Sequence, residues 1–212
     1  DGRDGFPASA ASDTRPGGPA AGWRGTDHAS RPASRFSLFL TRIPPLSSEF
    51  LDALTAALGP DGVLTGDAIA PRHLTDWSGH APVQPLALVR PASTAEVSAA
   101  LALCHAHCVA VVPQGGLTGL AGGAVPVAGA IALSLERMNA IESIDTATGV
   151  ATVQAGVTLQ ALQEAALARG LVFGVDLGAR GSCQIGGNLA TNAGGNGVLQ
   201  FGMMREQCLG LE

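Results

Sequence analysis

Residues 113–123 read PQGGLTGLAGG, and five of the nine residues from 115 to 123 are glycine. A short apolar run precedes them, so we expect this first glycine segment to follow a strand at one end of a sheet. Glycine accepts positive φ, carries no Cβ and lets successive amide N–H groups converge. The segment contains no Arg and no Lys, so an anion bound here would be held by backbone amides. The pattern favours phosphate or pyrophosphate binding over a tight multi-turn connection.

A second glycine segment covers residues 176–196, which read DLGARGSCQIGGNLATNAGGN. Its small side chains carry hydrogen-bond donors and acceptors, but the segment holds only one acid and one base, Asp176 and Arg180. A stretch this long and almost uncharged is a poor solvated loop. It suits close backbone packing against a flat, hydrogen-bonding heterocycle.

The composition of the 212 residues excludes several classes of function. All 12 basic residues are arginine and there is no tyrosine, so a P-loop lysine and a lysine Schiff base are both excluded. A net charge of −5 argues against nucleic-acid binding. The dinucleotide fingerprint Gly-x-Gly-x-x-Gly occurs nowhere. Four cysteines do not make a disulfide scaffold in a chain of this length, and no run approaches the roughly 18 apolar residues of a membrane span.

The chain divides by composition near residue 45. Residues 1–45 are more than half Pro, Gly, Ala and Ser and have no helical or strand period, which predicts a disordered or spurious leader. Residues 15–42 carry five Arg and one acid, a weak likeness to an organelle transit peptide. Residues 46–212 are therefore expected to form the folded domain.

Hydrophobic periodicity within that domain predicts a mixed α+β fold rather than a doubly wound sheet. A capping box formed by Ser93 and Glu96 predicts the start of a helix that ends near His107. Helices are expected at 49–58, 94–107 and 158–168, and strands at 86–91, 109–112, 131–135, 141–145 and 150–155, the last two as a hairpin.

Cysteines and histidines outside the glycine segments are better explained by structure than by chemistry. Residues 104–108 read CHAHC, but one short helical segment cannot converge four ligands, so Cys104 and Cys108 are predicted to lie in the core and no metal site is expected. Cys208 is likewise expected in the core. His73 and His80 flank Asp76-Trp77 and are expected to have structural or surface roles, because nothing orients a third catalytic group.

The two glycine segments, together with LGLE at 209–212, resemble FAD-linked oxidoreductases related to vanillyl-alcohol oxidase and p-cresol methylhydroxylase. The residue sequence of both glycine segments is similar to that of the branch that holds the FAD subunit of glycolate oxidase, D-lactate dehydrogenase and D-2-hydroxyglutarate dehydrogenase. The likeness runs from about Pro71 to Glu212. It implies a PCMH-type FAD-binding domain of two α/β subdomains, incomplete at its C-terminal end, over residues 46–212. The substrate domain that follows in this branch would be absent.

The resemblance implies a role for each matching residue. In the first glycine segment, the pyrophosphate would be wrapped by Pro113, Gly115, Gly116, Thr118 and Gly119, with Gln114, Leu117 and Leu120 against the cofactor. In the second, the flavin or its ribityl chain would be lined by Asp176, Gly178, Ser182 and Cys183, and the cradle completed by Gly186, Gly187, Asn188, Thr191, Asn192 and Gly194. Some relatives attach FAD through a His in the first segment, and its absence here implies noncovalent FAD.

The implied activity is oxidation of a D-2-hydroxy acid (D-lactate, glycolate or D-2-hydroxyglutarate) to the 2-oxo acid, with hydride transfer to the flavin. In this branch the catalytic base, substrate arginines and metal ligands follow the position of Glu212, so no catalytic residue is assigned. Two arginines common in relatives are replaced by Gly197 and Gln200. The alternatives are an FAD-binding fragment without turnover and a non-flavin anion-binding module.

Partners and location follow from the same resemblance. The expected partners are the small 2-hydroxy acid and an electron acceptor of unassigned identity, with an oligomer or a partner subunit left open. Nucleic acid and a transmembrane segment are not expected. The expected location is the cytoplasm, with peripheral membrane attachment left open, or the mitochondrion if residues 1–45 act as a transit peptide.

Overall fold

A computed structural model describes residues 48–212 of the chain. The leader expected over residues 1–45 lies outside the described residues. The helices are α1 Ser48–Leu58, α2 Thr94–Ala106, α3 Leu159–Leu167, α4 Ile185–Ala190 and α5 Val198–Phe201. The strands are β1 Val63–Leu64, β2 Ala87–Val89, β3 Val111–Gln114, β4 Ile131–Ser134, β5 Ile141–Asp145 and β6 Val150–Val153. Short 3-10 turns cover Pro60–Gly62, Gly66–Ala68, Pro71–Leu74 and Met204–Gln207. This mixture confirms the expected α+β class.

The larger sheet has the strand order β1-β2-β4-β3. The edge strand β1 is antiparallel to β2, whereas β2, β4 and β3 are parallel to one another. Every residue of β2 and β4 is buried, as expected for strands of a parallel sheet that is covered on both faces. The last residue of β3, Gln114, lies opposite Ser134 at the end of β4. The first glycine segment therefore starts at the carboxyl edge of this sheet.

Helices α1 and α2 cover one face of the sheet. Phe50 and Leu54 of α1 lie one turn apart on its buried stripe and pack with Ala100 and Cys104 of α2. The opposite face is covered near Ile69, which packs with Leu88 and Ala132. The sheet is thus fixed from both sides below the glycine-rich edge.

The start of α2 confirms the predicted cap. The Ser93 hydroxyl accepts a hydrogen bond from the Glu96 amide at 3.2 Å, and the Glu96 carboxylate accepts one from the Ala92 amide at 2.8 Å. The carboxylate thus reaches one residue beyond the N-cap amide. Both bonds satisfy amides that the helix start leaves without intrahelical partners.

Helix α2 ends at Ala106, close to the predicted end near His107, but the segment after it differs from the prediction. Cys108 adopts a φ of 53°, and the next amide, of Val109, donates to the carbonyl of Cys104 at 2.8 Å. This left-handed turn exposes Cys108 to solvent. The next strand therefore begins at Val111 instead of residue 109. The prediction of two core cysteines holds for Cys104 and is wrong for Cys108. The helical period also predicts that Leu101 lies on the buried apolar face of α2. This prediction is wrong, because Leu101 is 45% exposed.

Burial raises the pKa of the Cys104 thiol, so this thiol stays protonated and unreactive in the fold. Cys208 is half-buried instead of lying in the core. Within residues 48–212, no three His, Cys, Asp or Glu side chains are grouped so that they could hold a metal ion. No helix in the same range combines the length and apolarity needed to cross a membrane.

The second half of the chain builds a separate core. The hairpin β5–β6 forms as predicted, with a turn closed by Gly149 at a φ of 72°. Helix α3 also forms as predicted, capped by Thr158, whose hydroxyl accepts from the Ala161 amide at 3.3 Å. Helices α4 and α5 were not expected from the glycine-rich sequence. The buried residues of this core are Val157, Leu159, Leu162, Val175, Cys183, Ile185 and Met204.

Candidate functional site

The two glycine segments lie against each other, backbone to backbone. A Cβ on Gly116 would lie 2.0 Å from the carbonyl oxygen of Ser182 and 2.7 Å from Cα of Cys183. A Cβ on Gly115 would lie 3.5 Å from Cα of Gly187. No side chain fits between the segments at Gly116, so glycine there is required by the close approach of two main chains. Neither glycine has a positive φ.

The first glycine segment leaves its amide groups unpaired. Within residues 48–212, no amide N–H of residues 115–123 donates a hydrogen bond. Leu117 adopts a φ of 58°, which for a leucine is a strained, left-handed conformation. Unpaired amides and local strain are typical of a backbone that is organised for a ligand. The arrangement fits an anion with several acceptor oxygens, such as a pyrophosphate.

The second glycine segment satisfies many of its own polar groups. The Asn188 amide donates to the sulfur of Cys183 at 3.4 Å, and the Thr191 hydroxyl donates to the carbonyl of Gly187 at 2.9 Å. The Asp176 carboxylate accepts from Arg180 at 3.0 Å and from Asn196 at 3.3 Å. Arg180 therefore pairs with an acid of its own segment.

The 18 residues assigned from sequence fall into three groups by exposure. The exposed residues are Pro113, Gly119, Leu120, Gly178, Ser182 and Thr191. The half-buried residues are Gly115, Gly116, Leu117, Thr118, Asp176, Gly186, Gly187, Asn192 and Gly194. The buried residues are Gln114, Cys183 and Asn188, and their side chains point into the protein.

Two buried acceptors beside the segments have no hydrogen-bond partner among the described residues. Oδ2 of Asp76 lies 4.0 Å from the Cβ position of Gly119, and Oε1 of Gln184 lies 3.7 Å from that of Gly115. Both residues are more than nine-tenths buried. Orphaned acceptors of this kind suit a ligand that brings hydroxyl donors, as a ribityl chain or a ribose does. Sequence reasoning gave no role to Gln184.

Asp76 is ionised in this environment. Burial raises its pKa, but hydrogen bonds from Ser78 outweigh that effect, and the net pKa lies below the usual value. Its neighbour His80 lies against the first segment, with ring atoms 2.9 Å from the Cβ position of Gly122. The loop that holds residues 76–80 therefore forms one wall of the site.

A sequence profile for a family described as FAD binding domain matches residues 85–212, which is more than half of the chain. The chain belongs to this family. The matched region of the FAD-binding domain begins just before β2 and includes both glycine segments. FAD accounts for the features described above, because it combines a pyrophosphate, hydroxyl donors and a flat heterocycle. The resemblance drawn from the glycine segments is thereby confirmed.

The chain is similar to named dehydrogenases. It is 49% identical over 137 residues to a D-2-hydroxyglutarate dehydrogenase of Xanthomonas citri pv. viticola, covering 65% of this chain and 29% of that protein. It is 40% identical over 209 residues to a mitochondrial D-2-hydroxyglutarate dehydrogenase of Bos taurus. This match covers 92% of this chain and 38% of that protein. It is 38% identical over 174 residues to a Schizosaccharomyces pombe protein named as a mitochondrial D-lactate dehydrogenase. This match covers 79% of this chain and 33% of that protein. The chain thus spans about a third of the length of these curated relatives.

Solved structures confirm the fold. An alkyldihydroxyacetonephosphate synthase superposes with a TM-score of 0.70 at 24% identity, covering 77% of this chain and 32% of that one. The p-cresol methylhydroxylase with substrate bound superposes with a TM-score of 0.59 at 24% identity. This match covers 68% of this chain and 29% of that one. The described part of the chain therefore has the architecture of a PCMH-type FAD-binding domain, as the resemblance implied.

Proposed function

We propose that this chain supplies the FAD-binding part of an enzyme that oxidises a D-2-hydroxy acid to the 2-oxo acid. One observation carries the proposal: the unpaired amides of residues 115–123 lie on a second glycine segment with no Cβ between the two main chains at Gly116. The names of the relatives add the substrate class, D-2-hydroxyglutarate or D-lactate. Glycolate belongs to the same chemical class.

The residues of this chain bind and orient the cofactor. The amides of the first glycine segment would hold the pyrophosphate, and Asp76 and Gln184 would accept hydrogen bonds from its hydroxyl groups. Bound FAD supplies a flavin that accepts the hydride released from the substrate Cα. No side chain of the described residues is assigned as the base that removes the substrate hydroxyl proton. An external electron acceptor, whose identity we leave unassigned, would reoxidise the flavin.

We propose that FAD is held noncovalently. The first glycine segment contains no His, Cys or Tyr that could attach to the isoalloxazine ring. Acid precipitation of the flavin-loaded chain should leave the yellow colour in the supernatant. Flavin fluorescence that stays with the precipitated chain would contradict noncovalent binding.

Two measurements test the proposal. The purified chain is titrated with FAD, and binding is followed by quenching of flavin fluorescence. Free cofactor is then removed. The loaded chain is then mixed with D-2-hydroxyglutarate, D-lactate or glycolate and an electron-accepting dye, with L-2-hydroxyglutarate as the matched control. Bleaching of the dye with a D-acid alone supports the full proposal. Absence of FAD binding would refute it and favour the anion-binding module.

A second candidate is an FAD-binding chain without turnover. The chain spans 29% to 38% of the length of these relatives, and this candidate is supported because no side chain of the described residues is assigned as the catalytic base. Retained flavin with no dye reduction by any of the three acids would favour it. If turnover then appears when the corresponding C-terminal part of a relative is added, this chain supplies FAD binding and the added part supplies the rest of the active site.

The mitochondrion is the location that the names of the eukaryotic relatives support. Fusing residues 1–45 to a fluorescent protein tests this location in yeast cells. Import into mitochondria would support it, and diffuse cytoplasmic fluorescence would favour the cytoplasm.

A further inference from the structure

The first glycine segment is closed at its base by a buried amide side chain. Gln114, which directly precedes residues 115–123 of this segment, is 1% exposed. Its Nε2 donates to the carbonyl of Ala124, just after the segment, at 3.0 Å. The same nitrogen donates to the carbonyl of His73 at 2.9 Å. One side chain thus joins the two ends of the segment to each other and to the turn Pro71–Leu74.

The hydrogen-bond network assigns the tautomer of His73. Because Nε2 of Gln114 donates to two carbonyls, its Oε1 is the acceptor, and Nδ1 of His73 must carry the proton across their 2.9 Å contact. The imidazole is 2% exposed. Burial lowers its pKa, although the bond to Gln114 acts in the opposite direction, and the ring is neutral at neutral pH.

Charged groups that follow the neighbouring strands lie on the far side of the imidazole. Oε2 of Glu136, just after β4, lies 3.9 Å from Nε2 of His73. The Glu136 carboxylate is bound by Arg72 of the same turn as His73 and, at 3.3 Å, by Arg90 just after β2. Gln114 of β3 completes the surroundings. Because Nδ1 carries the proton, Nε2 is an acceptor and does not bond to the Glu136 carboxylate. Among residues 48–212, the hydrogen bond to Gln114 of β3 is therefore what orients the ring.

We infer that His73 and Gln114 are positioning residues for the cofactor: they tie the two ends of residues 115–123 so that the unpaired amides stay turned toward the pyrophosphate. The inference rests on the proposed function. Amides without partners do not hold their own loop in shape, so its conformation depends on the tie at its base and on the contact at Gly116. Loss of the tie would let the loop sample other conformations, and cofactor binding would then have to order it.

The test uses the 212-residue chain and two variants of His73. His73→Leu removes the donor at similar volume. His73→Asn keeps an amide N–H near the place of Nδ1 and serves as the conservative rescue. Leu54→Ala, in the core between α1 and the sheet, lowers stability without touching the segment. Amide hydrogen exchange of residues 115–123 is measured without FAD, and the FAD dissociation constant is measured by titration.

We expect His73→Leu to raise exchange in residues 115–123 selectively and to weaken FAD binding about thirtyfold, since a buried amide loses its partner. His73→Asn should restore most of both. Leu54→Ala should raise exchange across α1 and the sheet instead. Unchanged exchange in His73→Leu, or equal loss in the leucine and asparagine variants, would overturn the inference.

The two proposals fail in different ways. If the unmodified chain does not bind FAD, the proposed function fails, while exchange in the cofactor-free chain still decides the role of His73. If His73→Leu does not fold, Gln114→Met takes its place, because it keeps the length and removes the same bonds. If neither donorless variant folds while His73→Asn does, the pair determines folding instead of loop position, and the inference is overturned.

Discussion

Replacing Gly116 by alanine tests the contact between the two glycine segments. The added Cβ would lie 2.0 Å from the Ser182 carbonyl oxygen, and the shortest contacts that real Cβ atoms make are near 3.0 Å, so one main chain must move by about 1 Å. Both colliding atoms belong to the backbone, so no side-chain rotation relieves the clash. The two segments are therefore forced apart.

The magnitude follows from two opposing effects. Overpacking of a closed contact costs up to about 3 kcal/mol, and loss of glycine freedom in the unfolded chain returns about 0.5 to 1 kcal/mol. The net destabilisation is about 2 kcal/mol, which lowers the melting temperature by about 4 to 8 °C in a domain of this size. If the segments must close to bind FAD, the affinity falls about thirtyfold for the same free energy.

The assay compares Gly116→Ala with Gly123→Ala by thermal melting and FAD titration. Gly123 lies in the same segment, has no atom within 4 Å of its Cβ position and needs no positive φ. Its alanine variant should melt within about 1 °C of the unmodified chain. The reasoning is refuted if Gly116→Ala melts and binds FAD as Gly123→Ala does.

Three further predictions concern pH, thiol access and a second close contact. Because burial lowers the pKa of His73, the unfolded chain takes up a proton below about pH 6.5 that the folded chain does not, so stability falls as the pH drops through this range. His73→Asn should flatten that slope in urea-unfolding curves taken from pH 7.5 downward, and equal slopes would contradict the assignment. A thiol reagent should label the exposed Cys108 at once and Cys104 only on unfolding, and labelling at equal rates would be incompatible with the buried position. Gly195→Ala should destabilise by about 2 to 4 kcal/mol, because its φ is 88° and a Cβ would lie 1.8 Å from a carbonyl oxygen. Gly178→Ala, which meets no atom within 4 Å, is its control in the same melting experiment.

Local patterns predicted the elements whose ends carry sequence marks. The Ser93 cap fixed the start of α2, and Thr148-Gly149 marked the β5–β6 turn. The end of α2 was predicted near His107 and lies at Ala106. The start of β3 was misplaced because Cys108 adopts a left-handed conformation that usually belongs to glycine or asparagine. Helix α4 was missed because Gly186 and Gly187 lower its intrinsic propensity.

Tertiary packing explains why α4 forms in spite of its glycines. A Cβ on Gly186 would lie 2.8 Å from Cβ of Ala155, so the glycine permits an approach that the core between α3 and α4 requires. That requirement depends on residues about 30 positions away in the chain, and no local pattern reports it.

The candidate site was predictable in composition but not in its supports. Glycine density identified both segments, yet the direction of the Gln114 side chain depends on His73, which lies 41 residues earlier. The acceptor on Gln184 carries no mark in the sequence, because only the fold shows that it is buried without a partner. Residues that build the cradle were thus recognised by type, whereas residues that brace it were found by contact.

The strand order has a consequence for how the domain is made. Strand β4 lies between β2 and β3 but leaves the ribosome after both of them and after residues 115–130, which join β3 to β4. The gap in the sheet therefore stays open during synthesis until the whole first glycine segment has emerged. Because non-local parallel pairing is slow to form, changes in the length of this connection should alter the rate of folding and the amount of aggregation even where cofactor contacts are spared. The segment that we propose as the pyrophosphate site is, in the growing chain, also part of the connection that brings in the central strand.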